Sequence, residues 1–399
     1  LQGHDLAVFV WLKAQAGRSG NKGKEVRTKM SPHATGPLLN RRTLLSALAA
    51  SNLAAICPAR AWEDTDRAES SSMIDAPRLI VGGGPDSLPG QVAPILAAAL
   101  TRGLATSGPV TTHYDMGRDG VTAANLFDTV SPEADGGTTI LAPGAALIAS
   151  LSGDARVHFD FSRWAALIMA RRPVVTLARG ELHRTIRSRL SGLFHDRPVR
   201  LAVSHPTGVE LTSLLGLSLL GLHPLPVSGY ATKEAAFEAL RNGQVDAVQL
   251  TPGPGDDLSA DIAAAPQGIK PIFYSGPVIA GVPDFEATYH MARDRAPSGP
   301  LFQAWQAVAN AAASALVLAM PMLTPPLAIA RWRHASQEAI MDPALKSWND
   351  TQHLLVTAGA EAAPLLNQLE PELTALLALR RWINNNQPRW RQGQETRPT

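Results

Sequence analysis

Six short apolar runs, residues 79–81, 138–141, 174–177, 200–203, 247–250 and 271–274, alternate with stretches of helical composition such as residues 209–220 and 233–242. Such runs, bounded by turn-forming residues, read as strands, and strands alternating with helices imply α/β layers. Residues 233–242 are the clearest helix. Ala235, Ala236, Phe237 and Leu240 return at helical spacing, and Asn242-Gly243 supplies the stop before the next strand.

Residues 40–63 have the three zones of an export signal. Arg41 and Arg42 form the positive end, residues 43–56 the apolar stretch, and Ala59-Arg60-Ala61 the small-x-small site that predicts cleavage after Ala61. The apolar stretch is too short for a membrane anchor, which needs about 20 residues. Arg-Arg-x-Leu-Leu fits a twin-arginine or a Sec signal. Met30 is the expected start, residues 1–29 an upstream or disordered leader, and residues 62–76 a polar linker. The apolar run 307–320 is likewise too short to span a bilayer, and is expected to be a buried helix ended by Pro321, Pro325 and Pro326.

A net charge of +2 with both signs interspersed gives no field for a polyanion, so nucleic acid is not an expected partner. The one cysteine, Cys57, lies inside the signal, which leaves the exported chain without disulfide or thiolate chemistry. The bulky Ile56 before it argues against lipidation. The histidines are scattered without metal-binding spacing, and Gly-x-Ser-x-Gly is absent. No catalytic residue, metal or cofactor is therefore assigned.

Arg78-Leu79-Ile80-Val81, Gly82-Gly83-Gly84-Pro85 and residues 91–104 read as strand, glycine turn and helix. One meaning is the pyrophosphate turn of an FAD- or NAD-dependent oxidoreductase, with Gly82 and Gly84 in place and Asp115 as a ribose acid. Ser87 at the third glycine position weakens it, and Pro89 and Gly90 are expected to interrupt the helix that such a fold keeps whole.

The second meaning continues down the chain. After the turn and Asp86 come Asp115-Met116-Gly117-Arg118-Asp119-Gly120, Pro132-Glu133-Ala134-Asp135-Gly136-Gly137-Thr138-Thr139, and His158-Phe159-Asp160-Phe161 before Trp164. Val227-Ser228-Gly229-Tyr230, Ala239-Leu240-Arg241-Asn242-Gly243-Gln244-Val245-Asp246-Ala247, Leu323-Thr324-Pro325-Pro326, Met341-Asp342-Pro343 and Trp382 follow in order. This succession, about residues 77–386, resembles the substrate-binding receptors of tripartite tricarboxylate transporters, the TctC or Bug proteins.

The resemblance implies an α/β, two-lobed, type II periplasmic binding protein-like fold, each lobe a sheet flanked by helices, with a ligand cleft that closes by hinge motion. Lobe 1 would take residues 77–172, lobe 2 residues 173–282, and residues 283–390 would return to lobe 1 and add C-terminal helices before a disordered tail at 391–399. The leucine-rich stretch Leu365, Leu366, Leu369, Leu373, Leu376, Leu377 and Leu379, broken at Pro371, is expected to pack on the first lobe. The implied protein is a periplasmic, non-enzymatic, monomeric receptor. Its partners are a small carboxylate and membrane transporter subunits.

Implied ligand contacts are Gly83, Gly84, Asp86, Ser87 and Arg118 in lobe 1, with Thr207 and Gly208 in lobe 2. Turn amides suit an anion without a formal charge. Asp86 has a second expected role, capping the following helix. The second-lobe loop departs from the family's Gly-x-Gly-Ser: Pro206-Thr207-Gly208-Val209 puts valine where a hydroxyl would meet ligand, which opens a third reading as a sensing or scaffold member of the family.

Overall fold

The computed structural model describes residues 74, 76–104, 106, 108–117, 119–130, 136–180, 182, 198–253, 258–263 and 268–395. The expected leader, export signal, cleavage site, most of the linker and Arg118 lie outside them. The described residues belong to one compact unit, Glu63–Thr399.

The first lobe begins with β1 (Arg78–Gly82), α1 (Leu88–Gly103), β2 (Thr111–Asp115), α2 (Val121–Val130), β3 (Thr138–Ala142), α3 (Gly144–Ser152) and β4 (Trp164–Arg171). The chain crosses into β5 (Val174–Arg179), β6 (Val199–Val203), α4 (Leu211–Leu219), β7 (Pro224–Ser228), α5 (Lys233–Arg241), β8 (Ala247–Leu250), α6 (Leu258–Ala263) and β9 (Ile269–Ser275). Then α7 (Phe285–Arg293) and α8 (Pro300–Ala313) lead back to β10 (Ser314–Pro321). The chain closes with α9 (Pro326–Ala339), α10 (Pro343–Thr351), β11 (Leu355–Ala358), α11 (Ala362–Asn367) and α12 (Leu373–Glu395).

The sheets are ordered β11-β4-β10-β3-β1-β2 and β7-β6-β8-β5-β9. Each holds a parallel trio ordered second-first-third, then an antiparallel strand, β10 or β5, which pairs a further strand on its other side. Because β10 is antiparallel to both β3 and β4, β4 runs with the first trio and ends at its carboxyl edge. Because β5 is antiparallel to β8, with Val175 opposite Leu250, β5 starts at the carboxyl edge of the second trio. Residues 171–174 therefore join the two carboxyl edges. In α/β sheets these edges carry the ligand-binding turns.

The apolar core runs between the sheets. One cluster takes Ile80, Phe127 and Ile140 from the first lobe and Leu201, Leu214 and Phe273 from the second, with Trp305 and Val308 of α8 among them. A second cluster packs α1 and α9 under the other face of the first sheet through Val92, Leu96 and Trp332, and a third packs α5 on the second sheet.

Three expectations are corrected. Residues 307–320 are not one buried helix: α8 ends at Ala313 and β10 takes over at Ser314. All eight residues of β10 are buried, and a central strand covered on both faces has the same continuous apolar pattern as a buried helix. Pro89 and Gly90 do not interrupt α1. They sit in its first turn, where the N–H that proline lacks would have no intrahelical partner. Finally, the C-terminal helix α12 does not pack on the first lobe alone. It touches α3, α8 and the second-sheet edge strand β7, with Arg380 donating to the Ser150 carbonyl at 3.2 Å and Trp382 Nε1 to Ser218 Oγ at 3.0 Å. It continues past Arg391 to Glu395.

Candidate functional site

At the first carboxyl edge, β1 ends in the turn that carries Gly83, Gly84, Asp86 and Ser87. Gly83 has φ +151°, and a Cβ there would stand 2.4 Å from Ser87 Oγ, so glycine is required. Its N–H is bound to the Val81 carbonyl. Ser87 is wholly engaged in shaping the turn: its N–H and Oγ donate to the Gly84 carbonyl at 2.9 and 2.6 Å, and its Oγ accepts from Gly90 N–H at 3.1 Å. Ser87 is thus the N-cap of α1, the role expected of Asp86. Asp86 is exposed, and its carbonyl accepts from Gln91 Nε2. The N–H groups of Gly84 and Asp86 have no partner among the described residues, which leaves them as the turn's donors. Met116, from the loop after β2, is exposed beside Gly84.

At the second carboxyl edge, β6 runs into the loop that carries Thr207 and Gly208. Both amides are spoken for: Thr207 N–H points to His205 Nδ1 at 3.3 Å, and Gly208 N–H donates to the His205 carbonyl at 2.9 Å. Thr207 Oγ1 also lies 3.0 Å from His205 Nδ1. The acceptor in this loop is Glu210, at the start of α4. Its carboxylate takes the Ser204 N–H at 3.2 Å and the Ser204 hydroxyl at 3.0 Å. Burial raises its pKa above the ordinary carboxyl value, and these hydrogen bonds only partly oppose the shift.

Between the edges lies an ion network. Arg156 binds Asp154 at 2.7 Å and Asp119 at 2.6 Å. Hydrogen bonding from Arg156 lowers the Asp154 pKa, against the opposing effect of burial. The Asp154–Arg156 pair follows from a turn after α3, since Asp154 also accepts the Arg156 N–H.

The floor is formed where the chain crosses. Arg171 is opposite Ser314, Val174 is opposite Ser275, and Arg172 N–H donates to the Ala313 carbonyl, so the crossing lies beside the end of β9 and the start of β10. The Arg172 guanidinium reaches the Pro252 carbonyl at the end of β8 through Nη1 at 3.2 Å. Sequence reading missed Arg172 and Glu210. The available signal for the first was an arginine pair set between two apolar strands, Arg171-Arg172 before Pro173.

The structure thus brings Gly83, Gly84 and Ser87 into one turn and Thr207 and Gly208 into another, at edges joined by residues 171–174. A TctC solute-binding protein from Polaromonas, solved without ligand, is similar over 78% of this chain and 98% of its own, with 13% identity and a TM-score of 0.55. The periplasmic binding protein BugD is similar over 78% of this chain and 97% of its own at 15% identity and a TM-score of 0.47. MatC from Rhodopseudomonas palustris, with bound malate, covers 80% and 98% at 18% identity and a TM-score of 0.44. No family model and no curated protein matches by sequence. The chain has the two-lobed α/β fold of the TctC solute-binding proteins. No helix among the described residues is long and apolar enough to cross a membrane.

Proposed function

We propose that the protein is an exported solute receptor that binds a small carboxylate-containing molecule between its lobes and presents it to a membrane transporter of the tripartite tricarboxylate type. The observation that carries this reading is that residues 171–174 join the carboxyl edges of the two sheets directly, with the Gly83–Ser87 turn at the first edge and the Thr207–Gly208 loop at the second. That arrangement suits a hinge that closes on a solute. The sequence motifs in family order and the export signal support the rest. No catalytic group is required, and the role of the side chains is to select and hold.

The dinucleotide reading of the Gly82–Gly84 turn has less support. The N-terminus of α1, which would face a pyrophosphate, is capped by Ser87, and its Gly90 lies against the Gly84 carbonyl. A sensing or scaffold role is favoured by one observation: Glu210 fills the second-lobe loop with the protein's own carboxylate.

A thermal-shift screen against mono-, di- and tricarboxylates, amino acids, nicotinic acid, FAD and NAD tests the reading. A carboxylate at about 100 times its Kd is expected to add about 2.7 kcal/mol to the native state. A response confined to FAD or NAD would overturn the receptor assignment.

A further inference from the structure

Among the described residues nine buried side-chain nitrogen or oxygen atoms lack a hydrogen-bond partner, and one of them, Arg172 Nε, belongs to the segment 171–174 that joins the two sheets. Buried polar groups are nearly always paired, and each orphan costs about 1–3 kcal/mol. An unpartnered guanidinium nitrogen at the junction of both carboxyl edges marks a place completed by something else. A half-buried cation without an anion adds to that cost.

Arg172 is the charged member of the group. Its guanidinium is anchored to the second sheet through the Pro252 carbonyl and its backbone to the Ala313 carbonyl that precedes β10. Among the described residues no carboxylate is ion-paired with it. Burial acts on its pKa in the lowering direction, and no charge among the described residues opposes it. Meanwhile the amides of Thr207 and Gly208 are used up within their loop and Glu210 is placed beside them. The second-lobe loop is therefore a poor site for an anion, and positive charge is concentrated on the floor.

We propose that Arg172 is the carboxylate anchor of the interlobe site, taking an anionic oxygen pair of the ligand on its planar guanidinium. The proposal rests on the carboxylate-receptor reading and names the residue that supplies its charge. A guanidinium presents paired donors that match a carboxylate, which a lysine ammonium does not. Binding supplies the missing counter-charge, so the unliganded protein is less stable than it would be with an apolar residue at this position.

The test compares wild type with Arg172→Met and Arg172→Lys, using succinate, benzoate and nicotinate beside succinamide, benzamide and nicotinamide, by thermal shift and calorimetric titration. The wild type is expected to respond to an acid and not to its amide. Arg172→Met should keep or raise the melting temperature without ligand and lose affinity for the acid on the order of 30-fold or more. Arg172→Lys should weaken binding on the order of tenfold while folding normally, and it decides the matter if Arg172→Met fails to fold. Undiminished acid binding in Arg172→Met, or in Arg172→Lys where Arg172→Met does not fold, would overturn the anchor and leave the receptor reading standing. A wild type that responds to none of the acids counts against both the carboxylate reading and the anchor.

Discussion

Glu210 heads α4 but does not cap it: its carboxylate turns back to Ser204, and no side-chain cap bond is made to the helix. A carboxylate at a helix start is favoured by the helix dipole, yet burial dominates and raises its pKa from the ordinary 4.5. The sign of the stability effect follows. Between 4.5 and the raised folded value the folded state holds more proton than the unfolded state, so this group's contribution falls as pH rises through that window and then levels off. Glu210→Gln, which keeps an acceptor for Ser204, should therefore gain stability over wild type as pH rises from 4 to 8, with the difference flat at the acid end. Urea unfolding across that range checks it. A difference that does not change with pH would show that the carboxylate ionises freely. At this scale the sequence was partly legible. Gly83 could be read as a turn glycine because φ +151° excludes other residues. Glu210 could not, because its role depends on a loop folding back on Ser204, which no local pattern records.

At the scale of elements the first turn of α1 shapes the first-lobe loop. Ser87 closes it from both sides, binding the Gly84 carbonyl and receiving Gly90 N–H. Loss of such a cap costs about 1 kcal/mol, so Ser87→Ala should lower the unfolding free energy by about that amount in urea titration. Gly90→Ala should be worse by several-fold, on the scale of about 3 kcal/mol or more, since a Cβ there would stand 2.0 Å from the Gly84 carbonyl oxygen and one of two backbone segments must move. A Gly90→Ala protein as stable as wild type would mean that the turn is looser than its contacts imply. Elements with local punctuation were legible: α5 carries its Thr232 cap, its apolar returns and Gly243 beyond its end. The two longest central strands were not. β10 and β4 have no alternation to betray them, because helices cover both faces of the sheet, and the boundary at Ser314 is set by pairing with Arg171. The strand β7, with Pro224 and Pro226 in it, lies outside the six expected strands, and tolerates both prolines as the edge of its sheet.

At the scale of the whole molecule, two lobes that share one apolar cluster cannot unfold independently. The joint is α8. Trp305 donates Nε1 to the Thr212 carbonyl of α4 at 3.1 Å and stacks on Phe285 of α7 at 3.9 Å between ring centres. Phe302 and Phe273 complete the group at 5.8 and 6.3 Å. Gly216 admits this packing, since a Cβ there would stand 2.6 Å from the Phe273 ring and 3.1 Å from Trp305 Nε1. On its other side α8 packs against α3 of the first lobe. None of this was visible in the sequence, because the joint is made from segments near residues 145, 212, 285 and 305 that no local signal connects. One cooperative transition is therefore expected in calorimetry, with calorimetric and van't Hoff enthalpies in agreement. Trp305→Ala should cost about 3–5 kcal/mol, and because it empties the joint while leaving each sheet its own pairing, it should also lower the van't Hoff enthalpy relative to the calorimetric one. Two separate transitions in the wild type would mean that the lobes are independent domains and that α8 belongs energetically to only one of them.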